Sequence, residues 1–358
     1  MDTPRKRANL IVSVLASVAV LATPVTIFAA TGESPVTHPP TADKVVSQFQ
    51  KNGGVFPGYR RNHAKGVCIS GYFQSGGDAA RYSVAQVFAP GQRTPVVGRL
   101  SIPGTNPYAW DDSTPIRGMA LDFLQVDGQQ WRTAMNAVPV FPVATPEADY
   151  QFMRAQQPIP ATGDPAPKKL AEFFATHPKA DAFRNWDETT KSSASFAAER
   201  YNSLDAFYLV DAKGHRHAVR WSMLPEATAG THRVPTDNPN YLAADLRGRL
   251  SRGALRWRLV FVLAKPGDPI DDAAQAWPAD RRQINAGNLV IQASQPQSVA
   301  VCRDINFDPL VLPTGIKPSN DPLLKFRAQA YAESHRRRVR EEIRRHNATP
   351  AAPSTTKP

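Results

Sequence analysis

The segment spanning residues 119–136 reads MALDFLQVDGQQWRTAMN and has the pattern of two antiparallel strands. Residues 119–124 and 131–136 are largely apolar and include aromatic and β-branched side chains, which favour extended structure. Asp127 and Gly128 lie between these runs, and an Asp-Gly pair is typical of a tight turn between antiparallel strands. The segment therefore predicts a β-hairpin, whose strands need further partners to be stable.

Further strands are predicted on both sides of this hairpin. Short runs with β-branched and aromatic residues, separated by turn residues, recur through the chain. Residues 211–214 separate two of these runs and predict a second hairpin turn. The predicted strands outside the first hairpin comprise residues 67–73, 82–88, 96–101, 207–210, 217–223, 255–263 and 289–293.

Helices are predicted around these strands. Residues 42–51 have apolar side chains at helical spacing and follow Thr41, a suitable N-cap. Residues 147–176 are mostly loop and helix, and residues 241–250 predict a helix. The last ordered element is a long helix that Asp321 can cap. Because there are many strands and few regular strand–helix alternations, we predict an α+β fold with an antiparallel core that can close into a barrel.

The composition restricts the class of protein. The chain has 358 residues, of which 42% are hydrophobic and 21% charged, a balance typical of a globular protein. Its 33 prolines, roughly twice the average usage, argue against a long-helix bundle. Two cysteines exclude a disulfide-rich scaffold and a four-cysteine zinc site. The net charge of +12 suggests nucleic acid or an anionic surface, but no nucleic-acid-binding motif accompanies it.

The N-terminus predicts a targeting segment. Three basic residues precede an uncharged, mostly apolar run over residues 8–30, which is the arrangement of a secretory signal peptide. An uncleaved membrane anchor is the alternative, because the run is about long enough to span a bilayer. Both readings predict a periplasmic or otherwise exported protein. After the signal peptide, residues 1–30, we expect a linker and helix over residues 31–54, a folded core over 55–346 and a disordered tail over 347–358.

One polar stripe on the last helix is chemically informative. Arg327, Tyr331, His335 and Arg338 are three or four residues apart and share one helix face. A guanidinium one turn from a tyrosine favours its phenolate form, and tyrosine is one of the known ligands of haem iron. From the helix alone, a solvated basic helix with one buried tyrosine is the simpler interpretation.

His63 is the second candidate functional residue. It follows Arg60 and directly precedes the strand predicted at residues 67–73. Together with Ser101 and Asn136 it could form an acid–base and hydrogen-bonding pocket, and a structural or surface histidine is the alternative. Hydrolysis by a Ser–His–Asp triad is disfavoured, because the chain has no G-x-S-x-G segment.

Five short motifs follow one another between about residue 55 and residue 340. They are His63-Ala64-Lys65-Gly66 with Gly71-Tyr72-Phe73, Arg99-Leu100-Ser101, Arg117-Gly118-Met119-Ala120, Asn136 with Pro139-Val140-Phe141, and Arg327-x-x-x-Tyr331-x-x-x-His335-Arg336-x-Arg338. In sequence and order they resemble the catalase family, specifically its short branch of catalase-related haem peroxidases.

The resemblance implies a fold, a cofactor and residue roles. The fold is an antiparallel β-barrel core with surrounding helices and a buried haem b. Tyr331 is the implied iron ligand, kept as phenolate by Arg327. His63 is the implied acid–base catalyst, Asn136 orients the peroxide, and Ser101 hydrogen-bonds His63. The guanidiniums implied to pair with the haem propionates belong to Arg60, Arg99 and Arg338.

The resemblance also implies a reaction on hydrogen peroxide or organic hydroperoxides by way of a ferryl intermediate. Ungapped counting places Pro103 and Pro115 where full-length catalases have a valine and an aspartate near the haem channel. We therefore expect a peroxidase with a small organic electron donor and weak catalase activity. The alternatives are a true catalase and a lyase or allene-oxide-type rearrangement of hydroperoxides. A non-enzymatic haem-binding protein is disfavoured, because such a protein does not need His63 and Asn136.

The resemblance bears on the assembly, whereas the cysteine state is judged from residue chemistry and compartment. The parts that interlock the tetramer of full-length catalases have no counterpart here, so we expect a monomer or a homodimer. We expect no nucleic acid partner and no membrane contact beyond the N-terminal segment. Cys68 and Cys302 are expected to be two small buried hydrophobic residues, with a disulfide as the alternative that an oxidising compartment permits.

Overall fold

The computed structural model describes residues 39–160, 162–227, 234–235 and 237–348. The predicted signal segment lies outside these ranges, and so does the predicted tail except for its first two residues. Those two residues end the last helix, which therefore extends past the boundary predicted at residue 346. No helix in the described ranges has the length and apolar character that a membrane crossing requires.

Within the described ranges, ten strands form one antiparallel sheet. They are β1 (Gly66–Ser75), β2 (Arg93–Ser101), β3 (Gly118–Leu124), β4 (Gln130–Asn136), β5 (Tyr201–Asn202), β6 (Phe207–Val210), β7 (Arg216–Pro225), β8 (Leu255–Leu263), β9 (Gln283–Pro296) and β10 (Ile316–Pro318). Eight of them close into a barrel in the order β7-β5-β4-β3-β2-β1-β9-β8, because β8 pairs back with β7. Strands β6 and β10 extend the sheet beyond β7.

The hairpin predicted at residues 119–136 is present as β3 and β4. Its turn contains Gly128 at φ 81°, a left-handed conformation that favours glycine. The Asp127 carboxylate accepts a hydrogen bond from the Gln129 backbone N–H at 3.0 Å. Along β4, Trp131, Thr133 and Met135 are buried and the residues between them are half-buried, which is the alternation of a strand with one face on the core.

Aromatic side chains fill the barrel interior. Trp131 stacks on Phe123 with ring centroids 4.5 Å apart and meets Trp221 edge-on at 5.3 Å. Both tryptophans are almost fully buried. Each such pair contributes about 0.5–1.5 kcal/mol beyond the burial of apolar area, so these rings form a rigid support for the strands that carry the polar residues at the barrel's end.

The strand predicted at residues 82–88 is wrong. This segment contains no strand, and only Gln86–Phe88 is regular, as a short 3-10 helix. Ala85, Val87 and Phe88 are buried in the core, where Phe88 meets Trp131 at 5.5 Å, whereas Val84 is exposed. The backbone N–H of Val87 donates to the Gln125 side chain at 2.8 Å, so side chains satisfy the backbone in place of a neighbouring strand.

In the described residues, six α-helices surround the barrel. They are α1 (Ala42–Gly53), α2 (Pro146–Ala155), α3 (Pro167–Thr176), α4 (Asp181–Thr189), α5 (Tyr241–Leu250) and α6 (Pro322–Ala348). The predicted caps are present: Thr41 accepts a hydrogen bond from the N–H of Lys44, and Asp321 accepts one from the N–H of Leu323. Helix α4 was not predicted. The α+β class and the antiparallel barrel are confirmed.

Candidate functional site

His63 occupies a strained turn just before β1. Its φ of 55° lies in the left-handed region, which is uncommon for a residue other than glycine and costs on the order of 1 kcal/mol. The Asn62 side chain holds the turn by accepting hydrogen bonds at 2.8 Å from the N–H groups of His63 and Gly104. Nδ1 of the imidazole lies 3.0 Å from Oγ of Ser101. The predicted contact between His63 and Ser101 is therefore present.

A row of paired residues at one end of the barrel frames the imidazole. Ser101 ends β2 and pairs in register with Gly118 at the start of β3, and Gly118 pairs with Asn136 at the end of β4. A Cβ atom on Gly118 would lie 2.9 Å from Cε1 of His63 and 3.0 Å from Oγ of Ser101. Glycine is therefore needed at this position for the imidazole to sit against the sheet. The register thus places Asn136 on β4, directly beside Gly118.

The surroundings of His63 keep its ring neutral. Burial, and then the positive charges of Arg99, Arg327 and Arg60, lower the pKa of His63 from 6.5 to about 3. The imidazole is therefore uncharged at neutral pH and has one nitrogen with a free lone pair. If Nδ1 donates its proton to Ser101, that nitrogen is Nε2, which can accept a proton from a bound molecule.

Helix α6 carries Arg327 and Tyr331 one turn apart. A guanidinium nitrogen of Arg327 lies 3.4 Å from the Tyr331 hydroxyl oxygen and donates to the carbonyl of Ala134 at 3.0 Å. Arg327 also forms an ion pair with the fully buried Asp205. Burial disfavours the charge of Arg327, but Asp205 and Tyr331 outweigh burial and raise its pKa. The guanidinium is therefore a fixed positive charge beside the phenol.

Three further arginines, two of which act electrostatically on His63, are held by carbonyl and amide groups. Arg99 donates to the Gln297 side chain at 2.7 Å and to the carbonyl of Ala64 at 3.1 Å. Arg60 donates to the carbonyls of Cys302 and Ile305 at 3.0 and 2.7 Å. Arg338 donates to backbone carbonyls of the same segment. We call Arg60, Arg99 and Arg338 the arginine cluster.

The arginine cluster has the electrostatics of a site for a dianion. Burial is the main cause that lowers the pKa of all three side chains, that of Arg99 to about 9. Repulsion by Arg338 adds to the shifts of Arg60 and Arg99, and other nearby arginines add to that of Arg338. Within the described residues none of the three forms a salt bridge with a carboxylate, and the Nε of Arg338 is buried without a hydrogen-bond partner. Two carboxylates would relieve this repulsion by bidentate pairing. The arrangement therefore fits the two propionates of a haem.

The predicted site residues thus come together from distant parts of the chain. Burial and the charges of Arg99 and Arg338 lower the pKa of Arg60, and the charges of Arg60 and Arg327 help to lower that of His63. His335 of the predicted polar stripe lies 3.2 Å from the carbonyl of Asp304 through its Nε2. The site therefore combines an acid–base imidazole, a phenol beside a guanidinium, and the arginine cluster. The roles assigned to these residues remain predictions.

Three groups that hold the arginines of the site were not predicted. Asp205 holds Arg327, Gln297 holds Arg99, and the carbonyls of residues 302–305 hold Arg60 and Arg338. No motif marks them, because backbone carbonyls carry no sequence signal and single polar residues in loops are common. Only folding reveals what they contact.

The expectation of two unbonded cysteines is wrong. Cys68 on β1 and Cys302 form a disulfide, and both residues are buried together with Phe307. They are 234 residues apart in the chain, so the sequence offered no proximity signal for the pair. The alternative permitted by an oxidising compartment is the one present.

The catalase family model matches residues 55–350. A catalase-related peroxidase of Synechococcus elongatus is 37% identical over 316 residues, which are 87% of this chain and 91% of that protein. A catalase-related peroxidase of Mycolicibacterium paratuberculosis is 30% identical over 82% of this chain and 93% of that protein. These two relatives and the chain share nearly their whole lengths.

Longer catalases match over part of their length. Catalase of Rattus norvegicus is 29% identical over 77% of this chain but only 55% of its own. Catalase A from Saccharomyces cerevisiae has a similar fold, with a TM-score of 0.71 at 22% identity over 79% of this chain and 62% of its own. The barrel with its flanking helices is therefore the part held in common.

Proposed function

Since this chain belongs to the catalase family, we propose that it is a haem-dependent peroxidase that reduces hydrogen peroxide or organic hydroperoxides with a small organic electron donor. The observation that carries the proposal is the neutral imidazole of His63, which Ser101 holds in a site that also contains the arginine cluster and the Arg327–Tyr331 pair. This arrangement combines a proton acceptor with a cationic site for a dianionic cofactor and a phenolic ligand.

The residues present fit haem b. Arg60, Arg99 and Arg338 would pair with its propionates, and Tyr331 would bind its iron through the phenolate oxygen. Arg327 would stabilise that phenolate, since its guanidinium lies one turn away and Asp205 fixes its position. When bound, the haem supplies the redox chemistry that accompanies cleavage of the peroxide O–O bond.

His63 moves the proton of the reaction. Its Nε2 would accept the proton from one oxygen of the peroxide and return it to the other oxygen, which leaves as water from hydrogen peroxide or as an alcohol from an organic hydroperoxide. Ser101 fixes the ring by its contact with Nδ1 at 3.0 Å. Asn136, one strand beyond Gly118 in the same row, orients the peroxide by hydrogen bonding.

The preference for peroxidase over catalase activity rests on Pro103 and Pro115, the positions that correspond by ungapped counting to channel residues of full-length catalases. Pro103 lies two residues after Ser101 and Pro115 three residues before Gly118, and both prolines are half-buried. Neither side chain carries the charge of an aspartate, so we expect weaker selection for small peroxide. Both relatives that match over nearly their whole length are named catalase-related peroxidases.

One experiment separates the candidate activities. Purified haem-loaded protein is given hydrogen peroxide while oxygen evolution and oxidation of a chromogenic organic donor are recorded in parallel. We expect donor oxidation to exceed oxygen evolution. Vigorous oxygen evolution without donor would identify a true catalase instead. Rearrangement of a fatty-acid hydroperoxide without donor would identify a lyase or allene-oxide-type enzyme.

We also propose that the protein is exported, cleaved or anchored through residues 1–30, and that it is a monomer or a homodimer. The Cys68–Cys302 disulfide supports export, because disulfides persist in oxidising compartments. Cell fractionation with and without residues 1–30 tests the location. Light scattering tests the assembly against the chain mass of 39.2 kDa.

A further inference from the structure

A short backbone segment holds two members of the arginine cluster. Residues 302–305 present four consecutive carbonyls to them. Those of Cys302 and Ile305 accept from Arg60, and those of Arg303 and Asp304 accept from Arg338. The Asp304 carbonyl also lies 3.2 Å from Nε2 of His335. The position of this segment therefore decides where both guanidiniums point.

The disulfide joins this segment to the strand beside the third arginine. Cys302 lies within the segment, and Cys68 on β1 is the register partner of Arg99 on β2. Phe307, which packs with both cysteines, lies under Arg60 with its ring centroid 5.9 Å from the guanidinium carbon. One covalent bond thus connects the segment that holds Arg60 and Arg338 to the strand residue that pairs with Arg99.

Such a connection is needed because the cluster repels itself. Arg99 and Arg338 are buried and Arg60 is half-buried, and the charge of Arg338 disfavours those of Arg60 and Arg99. The N–H groups of Arg303 and Asp304 bond to carbonyls three residues earlier and take no part in the sheet. Apart from the disulfide, side chains hold the segment, among them those of Arg60 and Arg338 themselves. Without the disulfide the segment can therefore move away from the sheet and let the arginines separate.

We propose that the Cys68–Cys302 disulfide is a positioning device for haem, which fixes the arginine cluster in the geometry that receives the propionates. The proposal rests on the haem site of the proposed function. It makes haem retention depend on thiol oxidation. Reduction of the disulfide lets the carbonyls that hold Arg60 and Arg338 move, so haem is released faster.

The test compares haem release from wild type and from Cys68→Ser/Cys302→Ser, measured as transfer of haem to excess apomyoglobin. We expect release to be about tenfold faster in the variant, the scale of effect that supporting residues have at cofactor sites. In an Arg60→Gln/Arg338→Gln background the same two serines should add little, because the supported groups are absent. Additive effects in the two backgrounds would overturn the proposal.

Leu246→Ala is the matched control for lost stability. Leu246 on α5 is fully buried in the main core, so this variant lowers the melting temperature without affecting residues 302–305. Its haem release should stay at the wild-type rate when measured well below its melting temperature. If it releases haem as fast as the double serine variant does, general destabilisation explains the effect and the proposal is wrong.

A readout without haem separates this proposal from the proposed function. Hydrogen exchange of residues 300–308 in the haem-free protein should be faster in Cys68→Ser/Cys302→Ser, and unchanged exchange would overturn the positioning role. If wild-type protein binds no haem at all, the proposed function fails. The exchange measurement still decides whether the disulfide orders the segment.

Discussion

His63 shows how much chemistry one residue obtains from its surroundings. Its backbone is held in a left-handed turn by Asn62, its ring is fixed by Ser101, and its charge is suppressed by burial and three arginines. Strained backbone conformations persist only when neighbouring contacts enforce them, and they cluster at functional sites. The turn therefore supports a functional role, whereas the sequence alone also allowed a structural histidine.

Replacing His63 tests the acid–base role. His63→Gln should retain haem, because Tyr331 and the arginine cluster are untouched, but its reaction with peroxide should slow by about 10²–10⁴-fold. Stopped-flow mixing of haem-loaded protein with hydrogen peroxide measures this rate. The haem absorption spectrum before mixing is the control for cofactor retention. Wild-type turnover by the variant would exclude the proposed mechanism.

The pKa of His63 predicts a pH-dependent stability of the haem-free protein. Its folded pKa of about 3 lies below the reference value of 6.5, so the unfolded chain binds the proton first as the pH falls. Stability is therefore lost from about pH 6.5 downwards. Between pH 7 and pH 5 the free energy of unfolding of wild type should fall by about 2 kcal/mol more than that of His63→Gln. Urea unfolding at both pH values measures the difference, and parallel losses would contradict it.

At the scale of elements, the site is the meeting point of a strand row and one long helix. The row runs from Ser101 through Gly118 to Asn136, and α6 supplies Arg327 and Tyr331. Strand register sets which residues become neighbours, because a shift of one residue turns every side chain to the opposite face. Helical spacing likewise puts Tyr331 one turn from Arg327. Both periodicities were readable from the sequence.

Gly118 tests the row directly. In Gly118→Ala the new methyl group would displace the His63 ring, which would otherwise lie 2.9 Å from it. We expect the peroxide reaction to slow by on the order of tenfold or more, with haem binding retained. Gly248→Ala on α5 is the control, because its only close neighbour is a side-chain end of Arg252 at 4.0 Å. Equal rates for the two variants would show that the ring tolerates the methyl group.

At the scale of the whole molecule, closure of the barrel determines which segments meet. The pairing of β7 with β8 brings the two ends of an eight-stranded sheet together and leaves one continuous aromatic core. The disulfide then ties β1 to a segment near the end of the folded chain. These long-range connections carry α6 to the end of the barrel where the strand row ends.

Loss of the disulfide should weaken the whole fold. It closes a loop of 234 residues, and removal of such a link costs on the order of 2–5 kcal/mol. The free energy of unfolding of the haem-free protein should therefore fall by that amount in Cys68→Ser/Cys302→Ser. Denaturant unfolding measures the change, with thiol-reduced wild type as the comparison. A variant as stable as oxidised wild type would contradict the prediction.

Local patterns determined most of the elements but not all of them. The hairpin at residues 119–136 and the capped helix α6 were predicted because turn residues, caps and periodicity act over a few residues. Residues 82–88 were assigned wrongly, because an apolar run fits a strand and a core-filling loop equally well. Helix α4 was missed.

The sequence by itself determined the family and predicted the principal site residues, since His63, Arg327 and Tyr331 lie in motifs that are recognisable from their spacing along the chain. Only the tertiary structure decided that Asp205 holds Arg327, that carbonyls of residues 302–305 hold Arg60 and Arg338, and that the two cysteines are joined. The physical reason is the separation of the partners along the chain. Periodicity and capping act within a few residues, whereas these contacts join residues from 34 to 245 positions apart and form only when the chain folds.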